Sequence, residues 1–181
     1  MGFDIYGINP SGELKPDFPI NGTDKEQEAY WAWQDETKGS YYRRNMWGWR
    51  PVWEFIEAFC GDILSAKDLE AGCFNDGHKI SKTKANRIAG RIYSMDKKGL
   101  VKSYVNSRND ILDNLPLIPC DICKGTGFRK EPPITGAGNL ECNGCRKKGK
   151  TKDWQTYYPG DYNAIIEFAE FCRHSGGFTI C

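Results

Sequence analysis

Apolar positions along the chain recur mostly at helical spacing, with short alternating runs at the two ends. Phe3-Asp4-Ile5-Tyr6-Gly7-Ile8 alternates until it meets Asn9-Pro10, the pattern of a strand closed by a turn. Phe178-Thr179-Ile180-Cys181 alternates again after the helix-breaking pair Gly176-Gly177, so the two termini are expected to pair in a small sheet. Thr23 followed by Glu26 is a capping-box signature and predicts a helix from Asp24 to Lys38, ended by Gly39. Val52, Phe55, Ile56 and Phe59 stand at i, i+3, i+4 and i+7 on a helix expected to begin at Pro51, a good first-turn residue. Ser65 predicts a short helix through about Glu70. Ser81 predicts a longer one from Lys82 to about Lys98, with Ala85, Ile88, Ala89 and Ile92 inward and Gly99 at its end. Helical spacing resumes at Val101 and runs through Val105, Ile111, Leu112 and Leu115 until Pro116 and Pro119 interrupt it. After a loop over Trp154-Gly160, Asp161 caps a last helix bearing Ile165, Ile166, Phe168, Ala169 and Cys172.

With 181 residues, 39% hydrophobic and 27% charged, the chain suits one ordinary soluble domain or one domain with a small appendage. No apolar run approaches the roughly 20 residues that span a bilayer. The first ten residues lack the basic and apolar stretches of a secretion signal, so a cytoplasmic protein with no membrane partner is expected. In that compartment eight cysteines read as thiols or metal ligands rather than disulfides. Cys60 and Cys172 occupy apolar helix positions and are expected to pack as small hydrophobes. Cys120 with Cys123 and Cys142 with Cys145 form two CxxC pairs, with 18 residues between Cys123 and Cys142. Four thiolates around one tetrahedral ion is the closed coordination of structural zinc, so one zinc ion is expected on these four residues; a redox dithiol or unbound thiols are the competing readings. The expected fold is α+β: a mostly helical core over residues 1–115, a zinc-knuckle β-hairpin inserted at 116–153, and a helix and strand at 154–181 that complete the core.

Cys120-Asp121-Ile122-Cys123-Lys124-Gly125-Thr126-Gly127 resembles the cysteine-rich zinc-finger repeat of DnaJ-type chaperones, CxxCxGxG, in full. Cys142-Asn143-Gly144-Cys145-Arg146-Lys147-Lys148-Gly149 resembles it with Lys147 at the first glycine position. The resemblance covers residues 120–150, half of that family's domain, and implies one zinc ion. The His-Pro-Asp signature of a J-domain is absent. More widely, GFDIYGINP, RRNMWGWRP, NDGHKISKTKA and EFAEFCRHSGGF are similar to segments of a group of uncharacterised bacteriophage-encoded proteins. That resemblance implies a viral protein working in the host cytoplasm, with host takeover or evasion of host defence as its setting.

The formal charge of +1 conceals strong polarisation. From Lys79 to Arg108 there are nine basic residues and one acidic residue, with Lys84, Arg87 and Arg91 on one helical face. Arg146, Lys147, Lys148 and Lys150 crowd the second knuckle, and Arg43 and Arg44 stand beside Trp47 and Trp49. Such groups suit a partner's phosphates or acidic side chains; a solvated helix face and, for the tryptophans, core packing are the competing readings. An enzyme would draw on Cys73, Asp76, His78 and His174, but Asn75-Asp76-Gly77 reads first as a turn. The expectation is a non-enzymatic, zinc-stabilised protein that binds a host protein or protein–nucleic-acid complex, such as an anti-CRISPR type inhibitor of a host nuclease. Direct nucleic-acid binding is the first alternative, and a small enzyme using Asp76 and His78 the second.

Overall fold

The computed structural model describes residues 2–12, 15–131 and 140–181. Among them it is an α+β fold of two units, Met1–Ser107 with Tyr158–Cys181, and Arg108–Tyr157.

The first unit is built on a four-stranded antiparallel sheet. Its strands are β1 (Gly2–Gly7), β2 (Tyr41–Asn45), β3 (His78–Ser81) and the strand Gly177–Ile180, which we call β6 because the short β4 and β5 below precede it; their order is β2-β1-β6-β3. The expected pairing of the termini is present, with Ile5 opposite Ile180 and Gly7 opposite Phe178. β2 and β3 extend that sheet on either side, with Phe3 opposite Arg44 and Ile80 opposite Phe178. Alternate residues Phe3, Ile5, Ile80, Phe178 and Ile180 point into one core.

Helices α1 (Asp24–Glu36), α2 (Met46–Cys60), α3 (Ala66–Ala71), α4 (Lys82–Lys97), α5 (Leu100–Asp113) and α6 (Tyr162–His174) follow the expected order. Each predicted cap is formed: Thr23 and Ser65 in full capping boxes, Ser81 and Asp161 through their side chains. Each cap supplies an acceptor to amides that the helix itself leaves without one. α2 departs from expectation. It begins at Met46, not Pro51, because the Asn45 side chain accepts from the Gly48 amide at 2.9 Å and caps it five residues earlier. Pro51 then lies inside the helix, at the cost of the one bond its missing N–H would have made. Trp49 and Trp53 are buried in the core, stacked 5.3 Å apart. Their indole N–H groups donate to the Gly72 and Leu69 carbonyls, so neither buried donor is left without an acceptor. Gly72 is required there, since a Cβ would fall 1.7 Å from the Trp53 ring. Cys60 and Cys172 are fully buried, as expected of small hydrophobes.

In the second unit, β4 (Ile118–Pro119) pairs with β5 (Lys150–Thr151), and a 3-10 turn forms over Trp154–Tyr157, where a loop was expected. α5 carries the chain from one unit into the other. No helix among the described residues is long and apolar enough to cross a membrane.

Candidate metal centre

The four cysteines of the two CxxC pairs converge. All four Sγ atoms lie within 4.8 Å of one another, and all four residues are buried. Cys120 Sγ is 3.8 Å from Cys142 Sγ, and Cys123 Sγ is 3.7 Å from Cys145 Sγ. A disulfide would need about 2.05 Å. Sulfurs at the corners of a tetrahedron with metal–sulfur bonds of about 2.3 Å stand about 3.8 Å apart, and the Cys120–Cys142 and Cys123–Cys145 pairs have that spacing. The set is soft, all-sulfur and complete, so it fits one tetrahedral metal ion with no position open to substrate.

The local chain explains the convergence. Lys124, Gly125 and Gly127 in the first knuckle have φ of 52°, 90° and 81°; Arg146, Lys147 and Gly149 in the second have 49°, 66° and 72°. These left-handed residues turn the backbone so that the Gly127 amide donates to Cys123 Sγ and the Gly149 amide to Cys145 Sγ, both at 3.2 Å. Lys147 takes the conformation of its counterpart Gly125 despite having a Cβ. Backbone donors also set the acidity of the thiols. Burial pushes the Cys123 thiol up, but the Gly127 amide, Cys145 and the Gly125 amide bring it down to about 6. The Cys145 amide, working against burial, lowers Cys142. Cys145, buried beside sulfurs that ionise before it, is pushed up to about 11. Cys123 and Cys142 are therefore shifted toward the thiolate form that a cation needs.

The knuckles form a repeat of 22 residues that extends beyond the cysteines. The Cys120 amide donates to the Gly149 carbonyl at 2.8 Å, and the Cys142 amide to the Gly127 carbonyl at 2.9 Å. Pro119 pairs with Lys150 on one side, and the equivalent Glu141 bridges Phe128 on the other. The cysteine pairs and the knuckle glycines of this repeat were visible in the sequence, but its flanking positions were not, because their side chains differ while their backbone bonds match.

The predicted basic residues meet different fates. Lys84 binds the Asp68 carboxylate, and Arg91 grips Asp62 with two bonds of 2.9 Å. Arg44 pairs with Glu167, and Arg43 lies 3.4 Å from Asp4. Lys147 pairs with Glu141 at 2.7 Å. Arg87, Arg146, Lys148 and Lys150 are exposed, and the last three have no carboxylate partner among the described residues.

His78 does not join a nucleophile. Its Nε2 lies 2.8 Å from Asp68 Oδ1, while Ser65 and Lys84 bond the other carboxylate oxygen. Among the described residues Asp76 accepts the His78 backbone amide alone, at 3.3 Å, and His174 pairs with Glu170. Asp68, only 4% exposed, is the hub that sequence reasoning missed; the spacing Ser65-x-x-Asp68 could have marked it as part of a capping box, but not as the partner of the distant His78 and Lys84.

No protein-family model, curated protein or solved structure matches the chain.

Proposed function

We infer that the protein is a non-enzymatic binding module whose hairpin is held by one structural zinc ion on Cys120, Cys123, Cys142 and Cys145. The all-sulfur shell with no open position carries this reading. Zinc suits it because a tetrahedral thiolate set fixes a short, loop-rich segment that cannot bury a core of its own. When bound, the ion supplies a fixed cross-link and no reaction. The exposed Arg146, Lys148 and Lys150 then stand on a rigid mount and engage an acidic surface of a partner protein. Resemblance to bacteriophage-encoded proteins favours a partner in a host nuclease or defence complex of the cytoplasm.

Direct phosphate binding is the second reading. Arg146, Lys148, Lys150 and Lys152 are exposed at alternate positions with no carboxylate partner among the described residues, and such a cluster can neutralise a polyanion.

Affinity for random duplex DNA and for single-stranded oligonucleotides, measured against salt concentration, separates the two. The protein-binding reading expects no DNA binding even at low salt, together with capture of an acidic partner that Arg146→Glu/Lys148→Glu/Lys150→Glu abolishes at full metal content. Tight DNA binding that weakens steeply with salt would favour the second reading. Unchanged partner capture by the triple variant would remove the role of the knuckle.

A further inference from the structure

The 22-residue repeat gives the hairpin two equivalent faces, and their side chains have diverged. On the second knuckle the face reads Gly144, Arg146, Lys148, Lys150 and Lys152. The same positions of the first knuckle are Ile122, Lys124, Thr126, Phe128 and Lys130, and with Cys123 they line a groove of about 400 Å³. Ile122 is 51% and Phe128 48% exposed, so an apolar strip lies open beside the metal centre. Ile122 is held in place: its Cδ1 rests where a Cβ on Gly144 would fall, at 2.6 Å, so the small residue of one face seats the anchor of the other. Lys124 and Lys130 are exposed and have no acidic partner among the described residues.

We propose that this groove binds a protein segment with an apolar side chain flanked by acidic ones. The proposal rests on the reading of the hairpin as a binding module and names what its first knuckle recognises. Charge complementarity selects the flanks: two exposed ammonium groups, without a carboxylate partner among the described residues, border an apolar strip that favours burial of aliphatic or aromatic surface. Nucleic acid fits the groove less well. The Lys147 ammonium already lies 5.4 Å from the centre of the Phe128 ring, on the face a base would stack upon. Ile122 offers no stacking surface, and the exposed carboxylate of Asp121 opposes a continuous phosphate chain. Separate acidic side chains can avoid that carboxylate, whereas a regular polyanion cannot.

The test is an amide NMR titration of the full, metal-loaded chain with three probes: a short peptide of aspartates flanking a central Leu-Phe pair, polyglutamate, and oligothymidylate. The peptide is expected to shift the amides of Ile122, Lys124, Phe128 and Lys130. Phe128→Ser and Lys124→Glu/Lys130→Glu should each weaken it roughly tenfold, the scale of a hot-spot truncation, with metal content and signal dispersion unchanged. Polyglutamate shifting the same amides as strongly as the peptide, or Phe128→Ser leaving affinity unchanged, would overturn the proposal. So would oligothymidylate binding these residues more tightly than the peptide. If polyglutamate moves only Arg146, Lys148 and Lys150 while the groove stays silent, this inference fails and the binding-module reading stands; if no probe moves either face, both fail.

Discussion

Gly127 approaches Lys147 so closely that a Cβ on the glycine would lie 2.4 Å from the Lys147 carbonyl oxygen. The equivalent contact on the other side puts a Gly149 Cβ 2.3 Å from the Gly125 carbonyl oxygen. The two knuckles therefore interlock backbone to backbone, and each glycine also sends its amide to a cysteine sulfur.

Gly127→Ala should accordingly weaken metal binding without touching a ligand. A methyl group would push the Lys147 turn away and misdirect the amide that steadies Cys123. Loss of such supporting contacts costs about 10–100-fold in metal affinity. Competition against a chromophoric chelator measures it; an affinity within twofold of the parent would show that the interlock does not support the site.

Cys142→Ser, or removal of metal by chelation, should unfold the Arg108–Tyr157 unit and spare the sheet and its helices. Metal coordination supplies about 10–16 kcal/mol to small zinc modules, which is more than a unit this size gains from apolar burial. Limited digestion with a Lys/Arg-specific protease should then cut between Arg129 and Lys152 while segments such as Ile80–Ile92 remain protected. Protection of both regions, or loss of both together, would contradict the prediction.

Asp68 joins α3, β3 and α4 through Ser65, His78 and Lys84, and it imposes a pH dependence on stability. Burial alone would raise its carboxyl pKa, but hydrogen bonds from Lys84, His78 and Ser65 outweigh burial and hold it well below the usual carboxylate range. Because the folded-state pKa is depressed, the stabilisation is fully present above the unfolded value of about 3.9 and is lost as pH falls below it. Asp68→Asn should lower stability by about 3 kcal/mol at neutral pH, since it strips the Lys84 ammonium and the His78 ring of their buried partner. The gap between variant and parent should close as acid titrates the parent. Thermal unfolding from neutral pH down to about pH 3 follows it, and a gap that stays constant would exclude Asp68 as the source.

What could be read from the sequence was what is decided locally. The caps at Thr23, Ser65, Ser81 and Asp161 each act within one turn, and the stripe Ala85-Ile88-Ala89-Ile92 needs only helical geometry. The cysteine spacing named the four residues whose sulfurs converge because a knuckle is itself a local turn. Two of the four strands were missed. Tyr41–Asn45 and His78–Ser81 are short, and they become strands through pairing with β1 and β6, far away in sequence. The start of α2 was misplaced because Pro51 is a conspicuous helix-start signal, whereas Asn45 sits among arginines and aromatics. Lys84 and Arg91 looked free for phosphate because their partners Asp68 and Asp62 lie 16 and 29 residues earlier. A charge count along the chain cannot find such pairs.

The central claim is that one zinc ion joins Cys120, Cys123, Cys142 and Cys145. Elemental analysis of untagged protein, purified without added metal, combined with X-ray absorption at the zinc edge, tests it most directly. The expected result is one zinc per chain with four sulfur neighbours at about 2.3 Å. Far less than one equivalent of metal, or a shell containing nitrogen or oxygen ligands, would contradict it.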